Sequence, residues 1–412
     1  MQNHSRWILN RIFQKKNTTT TLPPPPHRQK IKTYLTSWNC RISNSNNFSS
    51  ISSNNFSSSS SYSSNNNSTT KAFNRQIKQI QKSNTTHHIP NYSYFRQHIA
   101  SRLIDRLDDI LRDDGFPLAL DVGCGYGYLY NEISKDDGYP LGGIGGIRKL
   151  VMMDSSHEVL HYNYNNYNEN NNVVDDEEEK EKRKNRCSTY KLVGDEEKKL
   201  PFPDGTFDLV LSSTSMHWVN DLPGLWKEIY RVLKPDGCFL FAMVGGMTLH
   251  ELNTSLNIAE LERDGGVSPH VGPFVDFSDV GSLLSNAGFN LTTVDVDTVK
   301  IGYPNAMVLM EHLQRMGENN VSLARKPFMS ADTFLAASCI YDQLYPLVED
   351  NDGDGHDKDR DDDEEEQGIE ATAQIIYGIG WVPHESQPQP KKRGSAKHKL
   401  GDVIVDKTPG QD

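Results

Sequence analysis

The first 104 residues of this 412-residue chain contain no Asp and no Glu, although they carry fourteen Lys or Arg. The remainder holds 29 basic and 55 acidic side chains, so a head of net +14 precedes a body of net −26. So sharp a change marks an appended segment of separate purpose. No apolar run reaches the roughly 18 residues that a membrane-spanning helix needs, which excludes such a span on length. Cysteine is scarce: Cys40, Cys124, Cys187, Cys238 and Cys339 stand apart, with no C-x-x-C pair and no zinc-type His spacing. A reducing compartment, or thiols without a structural role, fits that pattern, and no metal site is expected.

Near the start, Arg6-Trp7-Ile8-Leu9-Asn10-Arg11-Ile12-Phe13 predicts a short amphipathic helix. Basic, hydroxyl-rich and free of acids is the composition of a mitochondrial transit peptide; a basic arm that binds RNA or membrane lipid is the alternative. Residues 17 to 70 are runs of Thr, Pro, Asn and Ser, which bury too little apolar surface to offset the entropy of ordering. We read 1–70 as transit peptide and disordered linker, 71–405 as one folded domain and 406–412 as a tail. Two low-complexity inserts interrupt the domain, at 161–187 (Asn, Tyr, then charge) and at 349–367 (acidic, without the EF-hand spacing).

What the domain does have is a run from Leu118 to Leu129, L-A-L-D-V-G-C-G-Y-G-Y-L. Leu118, Ala119, Leu120 and Val122 predict a strand buried on both faces of a parallel sheet. Gly123, Gly125 and Gly127 then let the backbone turn sharply and approach a ligand with no Cβ in the way. The spacing is neither the G-x-G-x-x-G of dinucleotide folds nor a triphosphate loop, since no Lys-Ser or Lys-Thr follows. Cys124, within the turn, reads as a small residue beside a ligand rather than a nucleophile.

This D-x-G-C-G-x-G run resembles the first motif of Rossmann-like S-adenosylmethionine-dependent methyltransferases. The resemblance implies that Asp121 and the three glycines lie under the methionine part of the cofactor. It implies too that an acid closing the second strand accepts the ribose hydroxyls. Asp154, after Leu150-Val151-Met152-Met153, is that candidate, beyond a Gly-rich insert at 138–146. A carboxylate suits the role because it can accept two hydrogen bonds from a vicinal diol. Asp195, after the expected strand Tyr190 to Val193, is the candidate for the adenine amino group; an Asp there also serves as an ordinary turn residue.

Further signals agree. Phe95, Ile99, Leu103, Leu107 and Ile110 predict a helix from Tyr94 to Leu111, preceded by helical residues from Ala72 to Arg75. Phe207 to Ser213 predicts a buried strand. Asp221 caps a helix through Trp226 and Leu233, and Lys234-Pro235-Asp236-Gly237 turns into a strand, Cys238 to Met243. L-K-P-D-G before a strand is common in these methyltransferases. Helices are expected at Thr248 to Arg263, Ser278 to Ala287, Pro304 to Met316 and Ala331 to Tyr345, with a strand at Leu291 to Val296. The last strand, Ala371 to Trp381, is expected near an edge. The fold class is therefore α/β, a Rossmann-like methyltransferase fold with a mostly parallel seven-stranded sheet and helices on both faces.

His217 and Trp218 follow the fourth expected strand, where a substrate would meet the cofactor. His217 has the chemistry of a general base and Trp218 that of a stacking surface; both equally suit a plain pocket wall. His250, His270 and His312 read as surface or helix-packing residues.

A narrower resemblance rests on longer strings: His217-Trp218-Val219-Asn220-Asp221-Leu222-Pro223, Gly245 to Leu252, Ala259 to His270, Met310 to Glu318 and His384-Glu385-Ser386-Gln387. These are similar to mitochondrial complex I assembly factors of methyltransferase fold, a family described as arginine hydroxylases of a core complex I subunit. The resemblance departs at Asn74, where Asp is usual, and at Tyr126, where Arg is common. It implies a matrix protein, peripheral to the inner membrane, whose partners are a core subunit of complex I and its assembly intermediates, with no nucleic acid. The residues themselves do not point to hydroxylation: none of the 14 His is followed two places later by Asp or Glu, as a facial iron triad commonly begins. Glu251, Glu260, Glu262 and Asp264 suit a substrate guanidinium, or simply a solvated helix face. Methyl transfer to a protein or small acceptor, and a non-catalytic assembly chaperone, are the rival readings.

Overall fold

The computed structural model describes residues 20–22, 71–86, 88–110, 112–135, 142–162, 187–347 and 368–387. One sheet gathers β1 (Thr20–Leu22), β2 (Leu118–Val122), β3 (Lys149–Asp154), β4 (Ser188–Val193), β5 (Phe207–Ser213), β6 (Leu233–Val244), β7 (Asn290–Tyr303) and β8 (Ile369–Trp381). Their order is β1-β7-β8-β6-β5-β2-β3-β4. Every ladder is parallel except the two that β8 makes, with β6 and with β7.

β2 and β5 are apolar on both faces, apart from Asp121 in β2 and Asp208, Ser212 and Ser213 in β5, because both faces of each are covered. Ala119, Leu120 and Val122, and Leu209, Val210 and Leu211, are all fully buried. Alternation divides them between two cores. Leu120, Val122 and Val210 pack with Trp226 and Ile229 on one face. Ala119, Leu209 and Leu211 share the other with Ile99, Leu103 and Leu107.

The helices are α1 (Arg75–Asn84), α2 (Ile89–Tyr92), α3 (Tyr94–Asp108), α4 (Tyr128–Ile133), α5 (His157–His161), α6 (Leu222–Val232), α7 (His250–Asp264), α8 (Phe277–Ala287), α9 (Ala306–Met316) and α10 (Ala331–Leu344). Local chemistry sets several ends. Asp221 accepts the Gly224 N–H to start α6, and Gly288, at φ 104°, closes α8 in the left-handed region.

The structure corrects several expectations. The sheet is mostly parallel, as expected, but among the described residues it has eight strands rather than seven: Thr20–Leu22, inside the stretch expected to lack order, pairs with Val299–Ile301 and covers an otherwise bare edge. β8 is interior rather than near an edge, because it fills the gap between β6 and β7 and satisfies the backbone groups of both. The first helix begins at Arg75, not Ala72. Asn74 caps it by accepting the Ile77 N–H, while the Ala72 and Phe73 N–H groups donate to Asn220 Oδ1. His161 ends α5 and Cys187 is buried, so neither belongs to the insert expected at 161–187. Tyr162, described too, caps the end of α5; the presequence helix at 6–13, residues 163–186 of that insert, the insert at 349–367 and the tail lie outside the described residues.

The order reverses between β2 and β5: β3 and β4 extend from β2 one way, and β6 follows β5 the other way. A cleft opens at the carboxyl ends of strands at such a switch point.

Candidate functional site

The floor of the cleft is the turn after β2. Gly123, Gly125 and Gly127 all have positive φ, at 72°, 54° and 83°. A Cβ on Gly123 would overlap Ser215 Oγ, and one on Gly127 would stand 2.9 Å from Met152 Cε. A Cβ on Gly125 would meet nothing closer than Tyr128, 3.8 Å away, so its conformation rather than crowding selects glycine. The Gly123 and Cys124 N–H groups both donate to Met153 O, at 2.8 and 3.0 Å, which fastens the turn to β3. Ser213, at the end of β5, and Thr214 and Ser215 after it face the turn across a small cleft that Lys82, Arg96 and Tyr128 also line.

Asp154 closes β3 and is fully buried. Its Oδ2 accepts the Gly125 N–H at 3.1 Å and its Oδ1 the Ser156 N–H at 3.0 Å. The Lys82 ammonium reaches both oxygens, at 3.2 and 3.4 Å. Burial pushes the carboxyl up, but Lys82 and the two N–H donors outweigh it and hold the group below the ordinary range. Asp121 is the opposite case. Fully buried in β2, it has no hydrogen-bond partner on either oxygen among the described residues. Burial, and then the Asp154 charge, push it well above the ordinary range. A bare buried carboxyl group beside a turn without Cβ atoms is suited to the cationic end of a small ligand, whose charge would offset the cost of ionising it. Burial likewise pushes the Cys124 thiol up, away from nucleophilic chemistry.

Asp195 does not line the cleft. Its Oδ1 accepts its own turn's Glu197 N–H at 3.1 Å and the Arg75 guanidinium at 3.4 Å. The neighbouring Glu196 pairs with Arg75 at 2.6 Å. His217 and Trp218 form a short 3-10 turn after β5, and both are buried. They too stand behind the cleft wall rather than on it, and Glu318 links them to it.

Glu318 is the residue that sequence reasoning did not single out. Its Oε2 accepts the Lys78 ammonium at 2.8 Å and the Trp218 indole N–H at 2.7 Å. Its Oε1 accepts the guanidinium of Arg96, which lines the cleft. His217 Nε2 lies 3.7 Å from Oε2, and Lys78 sits 3.9 Å above the Trp218 ring. Burial alone would raise the Glu318 carboxyl, yet Lys78 and Arg96 hold it well below the ordinary range. Burial pushes Lys78 down to about 7, against the pull of Glu318. His217 is also pushed down by burial, so its imidazole is neutral at neutral pH. Gly317, in the left-handed region at φ 72°, ends α9 and presents Glu318 to this group. One signal was available: Arg75, Lys78 and Lys82 recur at spacings of three and four in a segment without acids.

Of the four acids weighed for a guanidinium, Glu260 is already committed to Ser268, His270 and Lys326. Glu251 is buried in α7 with Oε2 lacking a hydrogen-bond partner among the described residues.

Residues 120–241 match the Methyltransferase domain family. The chain is 41% identical over 333 residues to the zebrafish (Danio rerio) protein named arginine-hydroxylase NDUFAF5, mitochondrial, covering 80% of this chain and 89% of that one. The protein of the same name from Dictyostelium discoideum is 44% identical over 335 residues, covering 80% of this chain and 70% of that one. A malonyl-[acyl-carrier protein] O-methyltransferase of a Methylovorus strain is 31% identical over 186 residues, covering 45% of this chain and 55% of that one.

Proposed function

The chain belongs to the NDUFAF5 family of mitochondrial arginine hydroxylases, and on that premise we propose that it hydroxylates an arginine of a core complex I subunit as that complex is assembled. The observation that carries this reading is the 41% identity, sustained over 80% of this chain and 89% of the zebrafish relative. The setting proposed is the mitochondrial matrix, with peripheral attachment to the inner membrane through assembly intermediates.

In this reading the cleft holds S-adenosylmethionine. Asp154 receives the ribose hydroxyls, Asp121 faces the cationic amino-acid end, and Gly123, Gly125 and Gly127 pass beneath it. Asp195 reaches the adenine amino group, which requires Arg75 to share its carboxylate. When bound, that group would supply a positively charged sulfonium centre, which is methyl-transfer chemistry; converting an arginine C–H to C–OH would take in addition a two-electron oxidant of the dioxygen class, which supplies the oxygen atom. For His217 to take a proton from the acceptor, and for Trp218 to shield that step from water, the wall in front of these two buried rings would have to open to the cleft. Glu318 holds both rings in place.

Methyl transfer is the second reading, favoured by the match of residues 120–241 to the Methyltransferase domain family. Mass spectrometry of complex I core subunits separates the two. The cells would carry this chain as their sole copy, either wild type or as Gly125→Asp. One arginine should gain the mass of one oxygen with the wild type and not with the variant. A gained methyl group would favour the second reading. Unmodified subunits with intact assembly in both strains would leave a chaperone as the account.

A further inference from the structure

α1 places three cations on one face, each paired with a carboxylate from a different part of the body. Arg75 meets Glu196 at 2.6 Å, Lys78 meets Glu318 at 2.8 Å and Lys82 meets Asp154 at 3.2 Å. The third pair differs from the others, because Lys82 and the glycine turn line the same cleft.

A carboxylate offers about four acceptor positions. On Asp154 the Ser156 and Gly125 N–H groups take two of them, and the Lys82 ammonium bridges both oxygens over the rest. A vicinal diol needs two acceptor positions on one carboxylate, and the remaining space on Asp154 is what Lys82 fills. With a diol in place, the two N–H groups and two hydroxyls would fill all four positions and leave none for the ammonium. Asp154 is fully buried, so a lost partner is not replaced by bulk water.

The two ends of α1 are held differently. The residues before it are fixed by backbone bonds, Asn74 N–H to Val321 O at 2.8 Å and Leu323 N–H to Ala72 O at 2.9 Å. Besides Lys82 itself, the Lys82 end is tied to the body by bonds that each involve a side chain: Ser83 to Ser156 and to Glu158, both at 2.9 Å, Thr85 to Tyr126 at 2.7 Å, Tyr126 O–H to the Lys82 carbonyl at 3.3 Å and Gln79 to the Ser155 carbonyl at 2.8 Å. Tyr126 belongs to the glycine turn.

We propose that Lys82 is the exchange partner of the ligand's ribose: it occupies Asp154 in the free protein and leaves when a vicinal diol binds. Occupancy of the cleft is thereby coupled to release of the carboxyl-terminal end of α1. This deepens the reading of Asp154 as the diol-binding acid and rests on it.

The test uses the full chain and S-adenosylhomocysteine, titrated by calorimetry. Removing a competitor tightens binding, so Lys82→Gln should bind about tenfold more strongly than wild type. Equal or weaker binding by Lys82→Gln would overturn the proposal, since it would make Lys82 neutral or a ligand contact. A second measurement needs no variant. Acetylation of wild-type lysines, read by mass spectrometry, should be slow at Lys82 in the free protein and several times faster with saturating S-adenosylhomocysteine. Unchanged or slower labelling would also overturn it. Absence of binding by every protein would remove the cofactor reading itself, whereas binding with the wrong order of affinities would remove only the exchange.

Discussion

The indole N–H of Trp218 donates to Glu318 Oε2 at 2.7 Å across 100 residues of sequence. The same oxygen receives Lys78, and Arg96 binds the other. Truncating Glu318 would leave the nearly buried Lys78 ammonium without its counter-charge. Glu318→Ala should therefore destabilise the fold by about 3–5 kcal/mol, the range for breaking a buried ion pair on one side. The check is a denaturant midpoint at unchanged slope. A loss under about 1 kcal/mol would place the cluster with surface ion pairs.

Lys78 makes a pH prediction. Its amine titrates near 7 in the fold, against an ordinary value of 10.5. Below 7 it is charged in both states and the native state carries the full desolvation cost. Between 7 and 10.5 the unfolded chain holds the proton and the native chain does not, so this group makes stability rise with pH. The wild type should gain stability relative to Lys78→Met between pH 7 and 9. Parallel pH profiles of the two proteins would contradict this.

Glu260 behaves in the opposite sense. Burial pushes it up, but Lys326, His270 and Ser268 bring it to about 2, from an ordinary 4.5. Its contribution is present above 4.5 and lost as pH falls from there towards 2. Glu260→Gln should cost about 3 kcal/mol at pH 7 and almost nothing at pH 2. A difference that persists at pH 2 would show that packing, not charge, ties the Ser268–His270 segment to α7.

The glycine turn separates fold from ligand. Gly123→Ala adds a clash with Ser215 to an unfavourable φ, whereas Gly125→Ala adds only the φ penalty, about 1–2 kcal/mol. Thermal melts should rank Gly123→Ala below Gly125→Ala. Equal melting temperatures would mean that Ser215 moves aside freely.

How much of this was legible depends on range in sequence. β2, β5 and the acid at the end of β3 are readable because period, burial and turn chemistry act over a few residues. The position of β8 is not, since Ile369–Trp381 shows its apolar run but not which strands it joins. Glu318, Lys78 and Arg96 meet from three separate segments, and no local pattern predicts an ion pair between residues 240 apart. Asn74 was legible only as a departure, although Asn and Asp cap helices by the same hydrogen bond.

The most direct test of the central claim is calorimetric titration of the full chain with S-adenosylmethionine, beside an Asp154→Ala protein confirmed as folded by circular dichroism. The account predicts saturable binding by the wild type, weakened at least about tenfold by the substitution, as expected when a diol loses a charged acceptor. Equal affinity for both proteins, or no binding to either, would contradict it.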